Sequence, residues 1–222
     1  MPDSAYDTTA PLEGARAAER STARILGQVM FLVAVAIGFM VAGTLMGREL
    51  TEGAARACFF AGMGMLVATW FVDRLRHGSL GIGWLCGFAV LFGMGLGPAL
   101  NYLAETDPGA ITTAVGITAL TVLGMAAIGF VLEKDTAGWM RPLSFVVLGA
   151  VVISLGALVF GGLGALSPAI SLVILVASAL LILVDFNYIR KHATEADVVW
   201  LATGIFVSIV NIFISLLNLT SD

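Results

Sequence analysis

One acidic side chain lies inside an otherwise apolar stretch, "SLVILVASALLILVDFNYI" (residues 171–189), and it is the group with the most chemistry to offer. An ionisable residue within a segment long enough to cross a bilayer marks, by default, an ion pathway, a proton relay or a buried ion pair. Asp185 does not stand alone. Ser171, Ser178 and Asp185 recur every seven positions, and in "GIFVSIVNIFISLLN" (204–218) Ser208, Asn211, Ser215 and Asn218 follow at intervals of three, four and three. Such spacings keep polar groups on one face of a helix. The carboxylate calls for a cation at its own depth. Arg74 and Arg76 are best placed to supply it, because Arg190 and Lys191, though closer in sequence, can snorkel to water. A breakable Asp185–Arg74 contact is the expectation, and that pairing would decide whether Asp185 is charged at neutral pH.

Other chemistries lack their reagents. A retinal Schiff base needs a lysine inside the bundle, and Lys134 and Lys191 both fall in polar links. A metal site needs clustered ligands, whereas His77 and His192 lie singly in links, so no metal or other cofactor is expected. An aspartyl intramembrane protease needs two opposed carboxylates, and the spans hold one. No serine has an intramembrane histidine partner, and no phosphate-binding glycine motif is present. The chain is not expected to be an enzyme or to bind nucleic acid.

The elements that must position these groups follow from composition. Of 222 residues, 59% are apolar and only 12% charged, against about 25% charged in soluble domains. Seven stretches of roughly 20 apolar residues can each cross a bilayer as a helix: 25–47, 54–72, 79–104, 110–132, 143–163, 167–189 and 198–219. The expected fold is an all-α, seven-helix transmembrane bundle over 24–222, in contact with the lipid bilayer. Residues 1–23, rich in small and charged residues, read as a flexible tail. The apolar region that follows is too long for a cleavable signal, so the first span is expected to be retained. Nine of the eleven Lys and Arg fall on the face shared by the N-terminus and the second, fourth and sixth links; Arg48 and Arg56 lie on the other. Positive charge near span ends is held on the cytoplasmic side, which predicts a cytoplasmic N-terminus and an extracytoplasmic C-terminus. The net charge of −4 adds nothing about partners. Cys58 and Cys86 lie at opposite depths of their spans, beyond the roughly 7 Å Cα limit of a disulfide.

Lipid gives helices no hydrophobic reason to associate, so small residues must carry the packing. Gly43 with Gly47, Gly83 with Gly87, and Gly93 with Gly97 form G-x-x-x-G pairs expected at close helix crossings. Pro98 removes a backbone donor in the third span and is a hinge candidate. The sixth and seventh spans, joined by a short link, are antiparallel neighbours. Their polar stripes are expected to face the interior and hydrogen-bond across it, because unpaired amides in lipid cost several kcal/mol.

The segment "VDFNYIRKHATEADVVWLATGIFVSIVNIFISLLNL" (184–219) resembles the C-terminal hallmark of the transmembrane Bax-inhibitor motif family: an acidic residue ending the sixth span, a polar link, then a final span with Asn and Phe two residues apart, here Asn211 and Phe213. "FVSIVNIFISLL" is most similar to the bacterial YccA-like branch, as is "GPALN" (97–101) at the end of the third span. For some members the resemblance implies a pH-sensitive calcium leak gated by two aspartates that share a proton, with an arginine of the second span as competing partner. Asp185 matches the first aspartate, Arg74 or Arg76 the arginine, and Ser208 occupies the place of the second aspartate. For the YccA-like branch the resemblance implies a bacterial plasma-membrane protein that is a substrate and modulator of the membrane protease FtsH, with the N-terminal tail as handle. The expected function is therefore FtsH modulation in membrane quality control. The alternative is a calcium, other cation or proton leak lined by Ser178, Asp185, Ser208 and Asn211.

Overall fold

The computed structural model describes residues 10–160 and 167–220, and the remaining residues, including 1–9 of the expected tail, lie outside the described part. Seven helices follow one another: α1 (Ala10–Gly47), α2 (Glu52–Phe71), α3 (Gly78–Thr106), α4 (Pro108–Val131), α5 (Met140–Phe160), α6 (Ser167–Lys191) and α7 (Val198–Thr220). Each contains a segment long and apolar enough to cross a membrane, and no strand occurs among the described residues. The one large difference from the sequence expectation is the start of α1. The run from Ala10 to Ala23 was expected to be structureless, yet it continues the first span as helix. The reason is local: the run consists largely of Ala, Leu, Glu and Arg, which lose little freedom in a helix.

The short links carry recognisable stop and start chemistry. Thr51 accepts from the Ala54 N–H at 3.4 Å at the start of α2, and Asp107 accepts from the Ala110 N–H at 3.0 Å at the start of α4, with Pro108 in the first turn. Thr194 and Asp197 form a capping box just ahead of α7. Gly78 opens α3 with φ of 63°, a left-handed conformation that glycine adopts without penalty.

α7 is the centre of the bundle. It packs against α6, α4, α1 and α3, and Phe206, Ile205 and Ile212 are fully enclosed there, with the Phe88 ring of α3 set edge-on to Phe206 at 5.7 Å. α1 lies along α3 at very close range. A Cβ placed on Gly43, Gly47, Gly93 or Gly97 would fall within 3 Å of backbone atoms of the facing helix, so these two G-x-x-x-G pairs set the α1/α3 crossing as expected. The third pair does not. Gly83 has open space where its side chain would be, and Gly87 meets only the flexible end of Met65 at 3.4 Å. α3 runs unbroken through Pro98 to Thr106 rather than loosening there, the missing N–H being absorbed within a continuous helix. Cys58 and Cys86 are both free.

α2 and α5 are peripheral. α2 packs on α3 and α5 on α6, and the two do not pack along one another. They approach at their Trp70 and Phe145 rings, whose centroids are 6.1 Å apart. This separation creates the feature considered next.

Candidate functional site

The end of the bundle that holds Arg76, Lys134, Arg141, Arg190 and Lys191 is called the basic end below. Here the links are fastened to one another. Arg76 folds back so that Nε donates to the Thr69 carbonyl at 2.6 Å and Nη2 to the Trp70 carbonyl at 3.2 Å, capping the last turn of α2. Its other amino group stands 3.8 Å from Asp73. Asn187, fully enclosed near the end of α6, donates from Nδ2 to the carbonyls of Gly129 and Leu132 and accepts at Oδ1 from the Thr136 N–H and hydroxyl. Arg190 adds a bond to the Leu132 carbonyl at 2.6 Å, and Lys191 donates to the Glu133 carbonyl. Cationic side chains at the C-terminus of α4 thus satisfy carbonyls that the helix leaves open. His192 meets Asp135 at 2.7 Å. The Ala137 N–H, followed by the His192 bond, holds the exposed Asp135 carboxyl below its ordinary value. The link before α7 is tied in turn to α1 by Arg24–Glu195 at 3.1 Å and to His77 through the Ala196 carbonyl at 2.9 Å.

Between α2 and α5 a cleft of about 1040 Å³ opens, with α6 and α7 as its back wall. Its polar side is one face of α7: Gly204, Ser208, Asn211, Ser215 and Asn218 all line it. Gly204 to Asn218 is roughly 21 Å of helix at 1.5 Å per residue, most of the thickness of a bilayer core. Asp185 projects into the cleft from α6, only 5% exposed, and a Cβ on Gly204 would lie 3.7 Å from its Oδ2.

Several site residues stand where the sequence reading put them. Asp185, Ser171, Ser208 and Ser215 are buried, Asn211 is half-buried, and all five face the cleft rather than the outside of the bundle; Asn218 lines its far end and is exposed. Three expectations need correction. Asp185 does not touch Arg74: Arg74 is exposed, outside the cleft wall, and among the described residues nothing hydrogen-bonds or pairs with the Asp185 carboxylate. Arg76 does line the cleft wall, but two of its donors are spent on the end of α2 and none on Asp185. Ser178 is not on the cleft. It is wholly enclosed and its hydroxyl has no partner, although Ser171 and Asp185, seven residues to either side on the same helix face, do line the cleft. Nor do the stripes of α6 and α7 hydrogen-bond to one another. Their hydroxyl and amide groups find no protein partner among the described residues, which leaves a wall of open donors and acceptors facing the cleft. A single carboxylate among hydroxyls and amides does not make a calcium site, which takes six to eight oxygens from several acidic or carbonyl groups. No group of three or more His, Cys, Asp or Glu able to hold a metal occurs among the described residues.

Sequence reasoning missed Asn187. It sits two residues after Asp185 in a span, which was the available signal, but its partners are more than fifty residues away, at the end of α4 and in the α4–α5 link, and nothing local announces them.

Seven apolar helices around a polar-walled cleft define a multi-pass helical membrane protein. The chain belongs to the Bax-inhibitor family: the family described as Inhibitor of apoptosis-promoting Bax1 matches residues 22–222. It is 29% identical to the Escherichia coli K12 protein named Modulator of FtsH protease YccA over 202 residues, 90% of each chain. It is 34% identical over 151 residues, 66% of each chain, to an uncharacterized Pseudomonas aeruginosa protein. Mouse Bax inhibitor 1 is 30% identical over 143 residues, 60% of this chain and 56% of the mouse protein.

Proposed function

We propose that this protein is a modulator of the FtsH protease in membrane protein quality control, acting in a bacterial inner membrane through protein contacts rather than as an enzyme. The observation that carries this reading is the similarity to YccA, the relative named for that role, along nine-tenths of both chains. A YccA protein of another Escherichia coli strain, 29% identical over the same extent, is named as an inner membrane protein, which supports the location. The basic end supplies a surface suited to a partner: a layer of links braced by Asn187, Arg190, Lys191 and the His192–Asp135 pair, held rigid against the bundle. Crosslinking in membranes followed by purification of the tagged chain is expected to recover FtsH, and deletion of residues 1–22 is expected to lose most of that recovery. Absence of FtsH from the purified material, together with unchanged turnover of an FtsH substrate when the protein is removed, would overturn the reading.

A second reading is favoured by one observation, the cleft that brings Asp185 and the α7 polar face together: passage of protons or cations along that wall. Protons fit better than calcium, since Asp185 is the one acidic residue among the described residues that line the cleft. Purified protein in liposomes would then dissipate a pH gradient, and Asp185→Asn would slow it at least tenfold. Equal rates for both proteins and for empty liposomes would remove this reading.

A further inference from the structure

The cleft is closed on its polar side by α7 and on its flanks by apolar residues of α2 and α5, but the seam between those two helices is not closed by packing. Along the seam, Met63 and Leu66 of α2 face Val147, Leu148 and Val151 of α5 across the cavity. Towards the basic end two arginines line the same cavity, Arg76 beside α2 and Arg141 in the first turn of α5. Arg76 is held in place by its bonds to the Thr69 and Trp70 carbonyls. Arg141 is exposed and pairs with no carboxylate among the described residues. The one acidic group on the wall, Asp185, is set deeper. A Cβ on Gly81 would touch both Val199 and the Arg76 backbone, so residue 76 lies level with Val199, whereas Asp185 lies level with Gly204, roughly 7 Å further along α7. Positive charge at the rim, hydrocarbon along the seam and a carboxylate well below the rim are the complement of an amphiphile with an anionic head.

We propose that an anionic phospholipid occupies this cleft, its phosphate on Arg76 and Arg141 and one acyl chain laid along the seam between α2 and α5. Charge and shape select the occupant: a hydrocarbon chain one carbon wide lies along the apolar seam with the polar face of α7 left uncovered, while an anionic headgroup meets Arg76 and Arg141 at the rim. The bound chain would act as a plug, separating the open donors and acceptors of Ser208, Asn211 and Ser215 from the surrounding bilayer. This assignment is independent of any protease partner.

Trp200 lines the cleft and is half-buried, which makes it a reporter. The test uses protein retaining Trp200 alone, with Trp70, Trp84 and Trp139 changed to Phe, in phosphatidylcholine nanodiscs doped with brominated lipid. Brominated phosphatidylglycerol is expected to quench Trp200 at a far lower mole fraction than brominated phosphatidylcholine, and added inorganic phosphate is expected to leave the curve in place. Each arginine near an anionic headgroup contributes enough that Arg141→Gln should shift the curve about fivefold. Arg76→Gln should shift it further, with circular dichroism confirming the helical fold. Because the Arg141 side chain makes no hydrogen bond or ion pair among the described residues, its variant tests the site even if Arg76→Gln fails to fold. Equal quenching by the two lipids, protection by free phosphate, or a curve unmoved by Arg141→Gln would overturn the proposal.

Discussion

Asn187→Ala is expected to lower the unfolding midpoint of the detergent-purified protein by about 10 °C, the equivalent of about 4 kcal/mol in a chain of this size. The side chain is fully enclosed and makes four hydrogen bonds, two given to the carbonyls of Gly129 and Leu132 and two accepted from the Thr136 N–H and hydroxyl. Leu132 keeps its bond from Arg190, but the other partners are left buried or half-buried with nothing to replace the amide. An unsatisfied buried polar group costs about 1–3 kcal/mol, so several together reach the stated size. The effect should also be local. The α4–α5 link carries Lys134, and with its clamp removed that link becomes a substrate for trypsin, whose cut after Lys134 should quicken well below the unfolding temperature. A variant that melts like the parent and resists trypsin equally would show that Arg190, Lys191 and the His192–Asp135 pair hold the link by themselves.

Gly93→Ala should be comparably damaging, at about 3 kcal/mol, from a single added methyl group. Its Cβ would lie 2.9 Å from both the Met40 carbonyl carbon and the Thr44 nitrogen, and closer still to the Met40 carbonyl oxygen. These are backbone atoms of α1, with no flexible end to swing aside, so the two helices must part along their length and lose the contact that joins them. Gly83→Ala in the same helix supplies the control. Its Cβ meets nothing within 4 Å, and alanine is the better helix former by about 1 kcal/mol, so that variant should be as stable as the parent or more so. Thermal unfolding of the two proteins side by side separates a crossing constraint from a general cost of altering α3. Equal midpoints would mean that α1 and α3 yield more readily than their packing implies.

The contrast between Gly83 and Gly93 shows where sequence reading succeeds and where it stops. Both belong to G-x-x-x-G pairs with the same local signature, yet one meets a helix and the other meets open space. Spacing tells which glycines share a face and is silent on whether another helix is there. The polar face of α7 was legible because lipid penalises such groups so heavily that they can only turn inward. That same argument overreached in expecting α6 to answer across the interface: Ser178, on the same helix face as Ser171 and Asp185, is covered by packing and does not reach the cleft. The Asp185–Arg74 pairing failed for a related reason. Depth along the bundle follows from counting residues, but which side of the bundle Arg74 occupies depends on how α2 leans, and α2 leans mainly on α3. The start of α1 at Ala10 shows that weak hydrophobicity is not weak helicity.

The position of α7 has a consequence for how the molecule comes into being. The pillar against which α1, α3, α4 and α6 rest follows all of them in the chain. On the ribosome α1, α2 and α3 can pair with one another, and α4, α5 and α6 likewise, before that surface has been synthesised. The two groups gain their common pillar only when the last rod arrives between neighbours already in place.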